Sequence, residues 1–141
     1  MSTNYEELPS KPQPQIAAGN KAYWQALREH RLVVQRCADC QKLRHYPRPM
    51  CDGCYSMAFD WLEISPRGVV HSWAVTHHPF HPGFKKDVPY TTLTIDLEAR
   101  IRLQTPLLGE SRNLAFGTAV NIEFVDVENN CTIPCARIAA A

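Results

Sequence analysis

The sequence predicts a small, mostly β protein: one short helix, a ribbon stapled by a metal, then a barrel of short strands. Three observations carry that expectation. Four cysteines fall in two pairs, Cys37-Ala38-Asp39-Cys40 and Cys51-Asp52-Gly53-Cys54, with ten residues between them. From about residue 62 onward, short runs of alternating apolar and polar residues are separated by turn residues, the period of half-buried strands. Ahead of the cysteines, Tyr23, Trp24 and Leu27 fall at spacings that share one helix face.

The cysteine pairs are the most specific signal. A Cys-x-x-Cys turn lets two thiolates grip one side of a cation, and a short hairpin between two such turns brings four onto one ion. Four soft ligands suit tetrahedral Zn²⁺, and with every position filled by Cys37, Cys40, Cys51 and Cys54 none is left for water or substrate. The expected role is therefore structural. Iron in a rubredoxin-like site uses the same ligands. Two disulfides also fit the count but belong to exported chains. The opening residues Met1-Ser2-Thr3-Asn4-Tyr5-Glu6-Glu7 show no basic, then apolar, leader pattern. Intact thiols without a leader give the expectation of a cytoplasmic location.

Composition sets the outer bounds. The chain of 141 residues is one compact body or two very small ones, 45% hydrophobic, with no apolar stretch of membrane-spanning length. A formal net charge of +1 marks no polycation.

Along the chain, residues 1–15 form an expected extended or disordered head, since Pro9, Pro12 and Pro14 remove donors and bias their neighbours away from helix. Residues 16–31 hold the helix, with Asn20 as candidate cap. At this length a helix must dock, either on its own domain or on a partner. Residues 32–61 form the ribbon. Leu32–Cys37 is a strand into the first metal turn, Leu43–Pro49 returns, and Ala58–Glu63 leaves as another strand. So small a unit is expected to have almost no core of its own, leaving the metal to hold it. Residues 62–141 supply five strands. Val69, His71, Trp73 and Val75 alternate along the first, Tyr90–Leu97 is the second, and Ile101 to Leu107 the third. Val120, Ile122 and Phe124 mark the fourth, and Cys131–Ile138 the fifth. Five short strands in about eighty residues fit an OB-type barrel, which hides the edges of a small sheet.

These residues also carry a family resemblance. Tyr23-Trp24, Leu32-Val33-Val34-Gln35-Arg36-Cys37-x-x-Cys40 and Tyr46-Pro47-Arg48-Pro49-x-Cys51-x-x-Cys54 resemble a family of small zinc-ribbon plus OB-fold proteins. So do Gly68-x-Val70-x-Ser72-Trp73, His81-Pro82-Gly83-Phe84, Val88-Pro89-Tyr90 and Gly117-x-Ala119-Val120-x-Ile122-x-Phe124. The resemblance covers about residues 20 to 138. Family members accompany thiolase-like enzymes and other proteins that handle acyl-coenzyme A. It implies a non-catalytic subunit in a hetero-oligomer with a thiolase-fold partner in thiolase, acyltransferase or aldolase chemistry. Such a subunit would complete or stabilise an acyl-CoA channel, with coenzyme A shared with the partner.

Outside the ribbon, the segment His77-His78-Pro79-Phe80-His81-Pro82-Gly83-Phe84-Lys85-Lys86 stands between strong strands. Phe80 and Phe84 are candidate docking anchors together with Tyr23 and Trp24. Lys85, Lys86, Arg44 and Arg48 are candidates to face the phosphates of coenzyme A. The alternative for the loop is a solvated connection, and for the arginines an ordinary charged surface. Cys131 and Cys135 read as small apolar groups of the last strand. No Gly-rich phosphate loop, nucleophile elbow or catalytic carboxylate pair is visible. No catalytic residue is therefore assigned. A different class of function, single-stranded nucleic-acid binding, also uses OB barrels with metal ribbons, although near-balanced charge disfavours it. A rubredoxin-like electron carrier is the third.

Overall fold

In the computed structural model the chain is described over residues 10–140. The first part of the expected head, residues 1–9, lies outside the described residues. Residues 10–17 form no regular element. They run across the later Phe80–Pro89 loop, where Lys11 Nζ lies 2.6 Å from an Asp87 carboxylate oxygen and 5.4 Å from the Phe84 ring centroid.

Helix α1 spans Lys21–Arg28. Asn20 does not cap it through its side chain. Its amide instead accepts from the Ala17 N–H at 2.8 Å and donates to the Gln15 carbonyl at 3.0 Å, fixing the chain that enters the helix. The helix stops where His30 takes a left-handed conformation (φ 58°). The Arg31 N–H then reaches back to the Ala26 carbonyl at 2.9 Å, which satisfies an end carbonyl. Tyr23, Ala26 and Leu27 are buried and pack with Val120, Ile122 and Ala136 of the barrel. The helix therefore covers its own fold, and Tyr23 has no face left for a partner.

The ribbon is a three-stranded antiparallel sheet of β1 (Val33–Cys37), β2 (Leu43–Arg44) and β3 (Phe59–Glu63), in the order β2-β1-β3. Only Leu43 and Arg44 of the expected return strand pair with β1, consistent with Pro47 and Pro49 lacking ladder donors. The expectation of an almost coreless ribbon is corrected here. Leu32, Val33 and Val34 belong to the same buried cluster as Val70, Leu93, Ile95 and Val120, so ribbon and barrel share one interior.

The barrel is built from β4 (Arg67–Thr76), β5 (Tyr90–Leu97), β6 (Arg102–Pro106), β7 (Ala119–Val127) and β8 (Cys131–Ile138), ordered β6-β5-β4-β7-β8. A parallel bridge between Leu107 and Ala136 and a 2.7 Å bond from the Leu108 N–H to the Ala136 carbonyl close it. The fold is mostly β, with a zinc-ribbon region and an OB-like barrel. Among the described residues no helix is long and apolar enough to cross a membrane.

One feature of β4 breaks the simple alternation. Val69 pairs with Asp96 and Val70 with Ile95, but the register shifts before Ser72, so Trp73 pairs with Leu93. Paired residues share a sheet face, and a bulge reverses the alternation beyond it. Val69 thus lies on the outward face, while Trp73 and Val75 come round to the side of the buried Leu93.

Gly68 is packed against the β5 backbone: a Cβ there would sit 2.4 Å from the Asp96 carbonyl oxygen, whereas one at Gly19 would meet nothing within 4 Å. Gly68→Ala is expected to destabilise the fold by about 1–3 kcal/mol through overpacking against backbone. Gly19→Ala should change stability by less than about 0.5 kcal/mol. Urea unfolding of the two variants checks both.

Candidate metal centre and its surroundings

The two cysteine turns are built alike. In the first, the Cys37 carbonyl accepts from the Gln41 N–H at 3.1 Å, and the Cys37 N–H donates to the Lys42 carbonyl at 2.9 Å. In the second, the Cys51 carbonyl accepts from the Tyr55 N–H at 3.0 Å, and the Cys51 N–H donates to the Ser56 carbonyl at 2.9 Å. Gln41 (φ 67°) and Tyr55 (φ 64°) both turn left-handed. This repeated geometry aims both pairs of sulfurs at one point.

Cys37 Sγ lies 3.5 Å from Cys54 Sγ, and Cys40 Sγ 3.6 Å from Cys51 Sγ. All four sulfurs lie within 4.8 Å of one another. A tetrahedral zinc with sulfurs at about 2.3 Å needs sulfur–sulfur edges of about 3.8 Å, so the donor set fits the ion in type, number and spacing. None of the cysteines is in a disulfide. Backbone N–H groups favour the thiolate form. Those of Cys40 and Asp39 draw the Cys37 thiol down to about 6 against the opposing effect of burial, and those of Cys54 and Gly53 lower Cys51, whereas hydrogen bonds to the neighbouring sulfurs push Cys40 and Cys54 up. A bound zinc would supply tetrahedral cross-linking only, since the four cysteines leave no position open.

Charged neighbours brace the ribbon. Lys42 of the first turn pairs with Asp52 of the second at 3.0 Å. Arg36 grips Asp60 across β1 and β3 with two bonds, 3.1 and 2.6 Å. Arg44, one of the residues expected to face CoA phosphates, is turned inward and only 2% exposed. Its Nε donates to Gln35 Oε1 at 2.8 Å and its Nη2 to the Arg48 carbonyl at 3.0 Å, with Phe59 against the guanidinium at 5.0 Å. Its charge holds the loop from Arg44 to Arg48 and is withdrawn from any ligand. Arg48, Lys85 and Lys86 are exposed.

The expected docking set also divides. Tyr23 lies against Trp24 and His45 in the interior, with ring centroids 5.3 and 5.4 Å away. Trp24 is half-buried at the core's edge. Phe84 is half-buried against Tyr90 and His81. Phe80 projects from its loop, 84% exposed, with the His78 ring beside it at 5.0 Å. Cys131 and Cys135 are buried on β8, and burial, then Glu123, pushes the Cys135 thiol up to about 11.

Two features escaped the sequence reading. His45 sits between Tyr23 and Tyr46, with both ring nitrogens buried and without hydrogen-bond partners among the described residues. Burial, then the nearby Arg48, lowers its pKa to about 4. Trp73, Val75 and Phe116 are exposed apolar residues at one end of the barrel. No local pattern announces either feature, because both arise from packing between distant segments.

Residues 24–60 match the family model of the rubredoxin-like zinc ribbon domain of ChsH2, and residues 61–125 match that of the ChsH2 C-terminal OB-fold domain. The chain belongs to the ChsH2 family. Among solved structures, one titled Ltp2-ChsH2(DUF35) aldolase superposes with a TM-score of 0.81 at 36% identity, covering 91% of this ChsH2-family chain and 100% of the matched chain. A DUF35-family protein of unknown function from Sulfolobus solfataricus, 14% identical, has the same fold at a TM-score of 0.59 over 87% of each chain. A curated relative from Thermomonospora curvata, named a probable enoyl-CoA hydratase alpha subunit, is 36% identical over 130 residues, 92% of this chain and 40% of its own length. The 3-oxo-4,17-pregnadiene-20-carboxyl-CoA hydratase alpha subunit of Mycobacterium tuberculosis is 31% identical over 114 residues, 80% of this chain and 36% of its own length. The chain thus spans less than half the length of the curated relatives it matches.

Elemental analysis of chain purified without added metal should find one zinc per polypeptide. Cys37→Ser and Cys51→Ser should lose the metal and destabilise the whole fold by on the order of 4 kcal/mol or more, since the ribbon contributes to the shared core. Scanning calorimetry with and without a chelator checks the second point.

His45 gives a pH dependence of definite sign. Its folded pKa lies below the unfolded value of about 6.5, so the unfolded chain binds the extra proton more readily. Its stabilising contribution is complete above pH 6.5 and is lost as pH falls toward 4. The total is about 3 kcal/mol at about 1.4 kcal/mol per unit. Denaturant titrations from pH 7 to 4.5 should show His45→Phe losing less stability than the parent chain.

Proposed function

We propose that this chain is a non-catalytic accessory subunit of a thiolase-type complex acting on acyl-CoA thioesters. In this reading it docks on a thiolase-fold catalytic subunit, holds that subunit's active form and helps to wall its CoA channel. The supporting observation is the match of nearly the whole chain to a chain of the Ltp2-ChsH2(DUF35) aldolase. The word "subunit" and the CoA thioesters in the names of the curated relatives agree with it.

The division of labour follows from the chemistry of the two halves. Cys37, Cys40, Cys51 and Cys54 hold a structural Zn²⁺ that stiffens the ribbon, and the reacting groups belong to the catalytic subunit. Phe80, with the exposed part of Trp24, supplies docking surface. Arg48, Lys85 and Lys86 are the cations available to the nucleotide end of coenzyme A, and Arg44 is excluded by its inward bonds. The setting is cytoplasmic thioester metabolism.

Affinity purification of the tagged full chain from its native host should recover a thiolase-fold protein in stoichiometric amount. Acyl-CoA turnover should require that protein and rise when the chain is added. A chain that turns over an acyl-CoA unaided, or that recovers no thiolase-fold protein, overturns the proposal.

A further inference from the structure

The barrel interior does not end where its strands stop pairing. On one side β4 is paired with β5 out to Thr76, but on the other it pairs with β7 only over Arg67, Gly68 and Val69. The last bonds on that side are from the Val70 N–H to the Thr118 carbonyl and from the Gly117 N–H to the Val70 carbonyl. From Ser72 to Thr76, β4 has no strand neighbour on this edge among the described residues. Unpaired strand edges of this kind are templates for another chain.

The side chains of the same stretch show what is missing. The bulge before Ser72 turns Trp73 and Val75 onto the face of Leu93, which is fully buried. Yet Trp73 remains 36% exposed and Val75 45%, and Phe116 leans on Trp73 at 5.3 Å while itself 79% exposed. These are core-facing positions without the opposite wall. Such a patch beside an open edge has the two recognition elements of strand addition: main-chain bonds for affinity and side-chain contacts for specificity.

Charge narrows the occupant. Past Thr76 the chain runs into the loop bearing Lys85 and Lys86, and no carboxylate lies within ion-pair distance of either among the described residues. A second copy of β4 would bring Arg67–Thr76, which contains no aspartate or glutamate. Nucleic acid would leave the aliphatic Val75 and the open main-chain edge without partners.

We infer that the β4 edge from Ser72 to Thr76, with Trp73, Val75 and Phe116, receives an extended segment of the catalytic subunit. That segment is apolar at alternate positions and carries carboxylates at the end nearest Lys85 and Lys86. It adds as a strand beside β4 and closes the open end of the barrel. This rests on the accessory-subunit reading above and names where that subunit is gripped.

The test uses the full chain and the thiolase-fold subunit recovered with it. Hydrogen exchange is followed with and without that subunit, and affinities are measured for Val75→Lys, for Val69→Lys on the outward face of the same strand, and for Lys85→Glu with Lys86→Glu. Melting curves confirm that each variant is folded. The expected result is slowed exchange of the Ser72–Thr76 amides not bonded to β5. Affinity should fall tenfold or more for Val75→Lys and for the charge reversal, and be unchanged for Val69→Lys. A complex that forms without such protection, and equally well with Val75→Lys, overturns this surface and leaves the accessory role standing. No complex at all overturns the accessory role and this inference with it. Protection that rises with concentration of the chain alone, or on adding a twenty-residue oligothymidylate, overturns the inference in favour of a second copy or of single-stranded nucleic acid.

Discussion

Four sulfur atoms converging on one point constrain most of what surrounds them. Cys37 ends β1 and Cys51 lies within the loop that leads from β2 to β3, so whatever fixes the sulfurs also fixes the ribbon sheet. In isolation that would matter only locally. Here Leu32, Val33 and Val34 continue from the metal turn into the interior they share with Val70, Leu93 and Val120. The cysteine cluster and the packing inside are therefore two ends of one strand. Helix α1 adds Tyr23, Ala26 and Leu27 to the same interior, and the Tyr46 hydroxyl ties the ribbon loop to the Gln104 carbonyl of β6 at 3.3 Å.

Polar groups enter this interior on different terms. Arg44 is buried but bonded to Gln35 and the Arg48 carbonyl, with an aromatic face against it. Such a charge is costly to bury alone and acceptable when satisfied, although among the described residues Arg44 Nη1 has no partner. His45 is kept neutral instead by burial and then by the nearby Arg48, and among the described residues neither ring nitrogen finds a partner. By contrast the Asp96 carboxylate, held by Arg102 at 2.7 Å and by His71 at 3.1 Å, lies in solvent on the outer barrel face, where such pairs contribute little.

The four-cysteine spacing specified the ribbon because the ligands lie close together in sequence and chemistry dictates their number. Period-2 alternation likewise located Tyr90–Leu97 and Cys131–Ile138 at the bounds the structure shows. The same signal misled along β4. Val69, His71, Trp73 and Val75 alternate without a break, but the inserted residue at the bulge divides them between two faces. The aromatic pair on the helix left its docking partner open, and contact with β7 and β8 placed Tyr23 inside. Charge counting brought Arg44 into a ligand-facing group because sequence records a guanidinium but not its direction.

By itself the sequence determined the four cysteines that converge on one point, the order of helix, ribbon and barrel, and the family to which they belong. Each of these is written in short-range spacing, where neighbouring residues act together. Only the tertiary structure decided that ribbon and barrel share a core, that Arg44 and Tyr23 face inward, and that among the described residues β4 has an unpaired edge beside Trp73 and Val75. Those outcomes depend on contacts between segments far apart in the chain, and on one local slip in strand register that no pattern of side chains encodes.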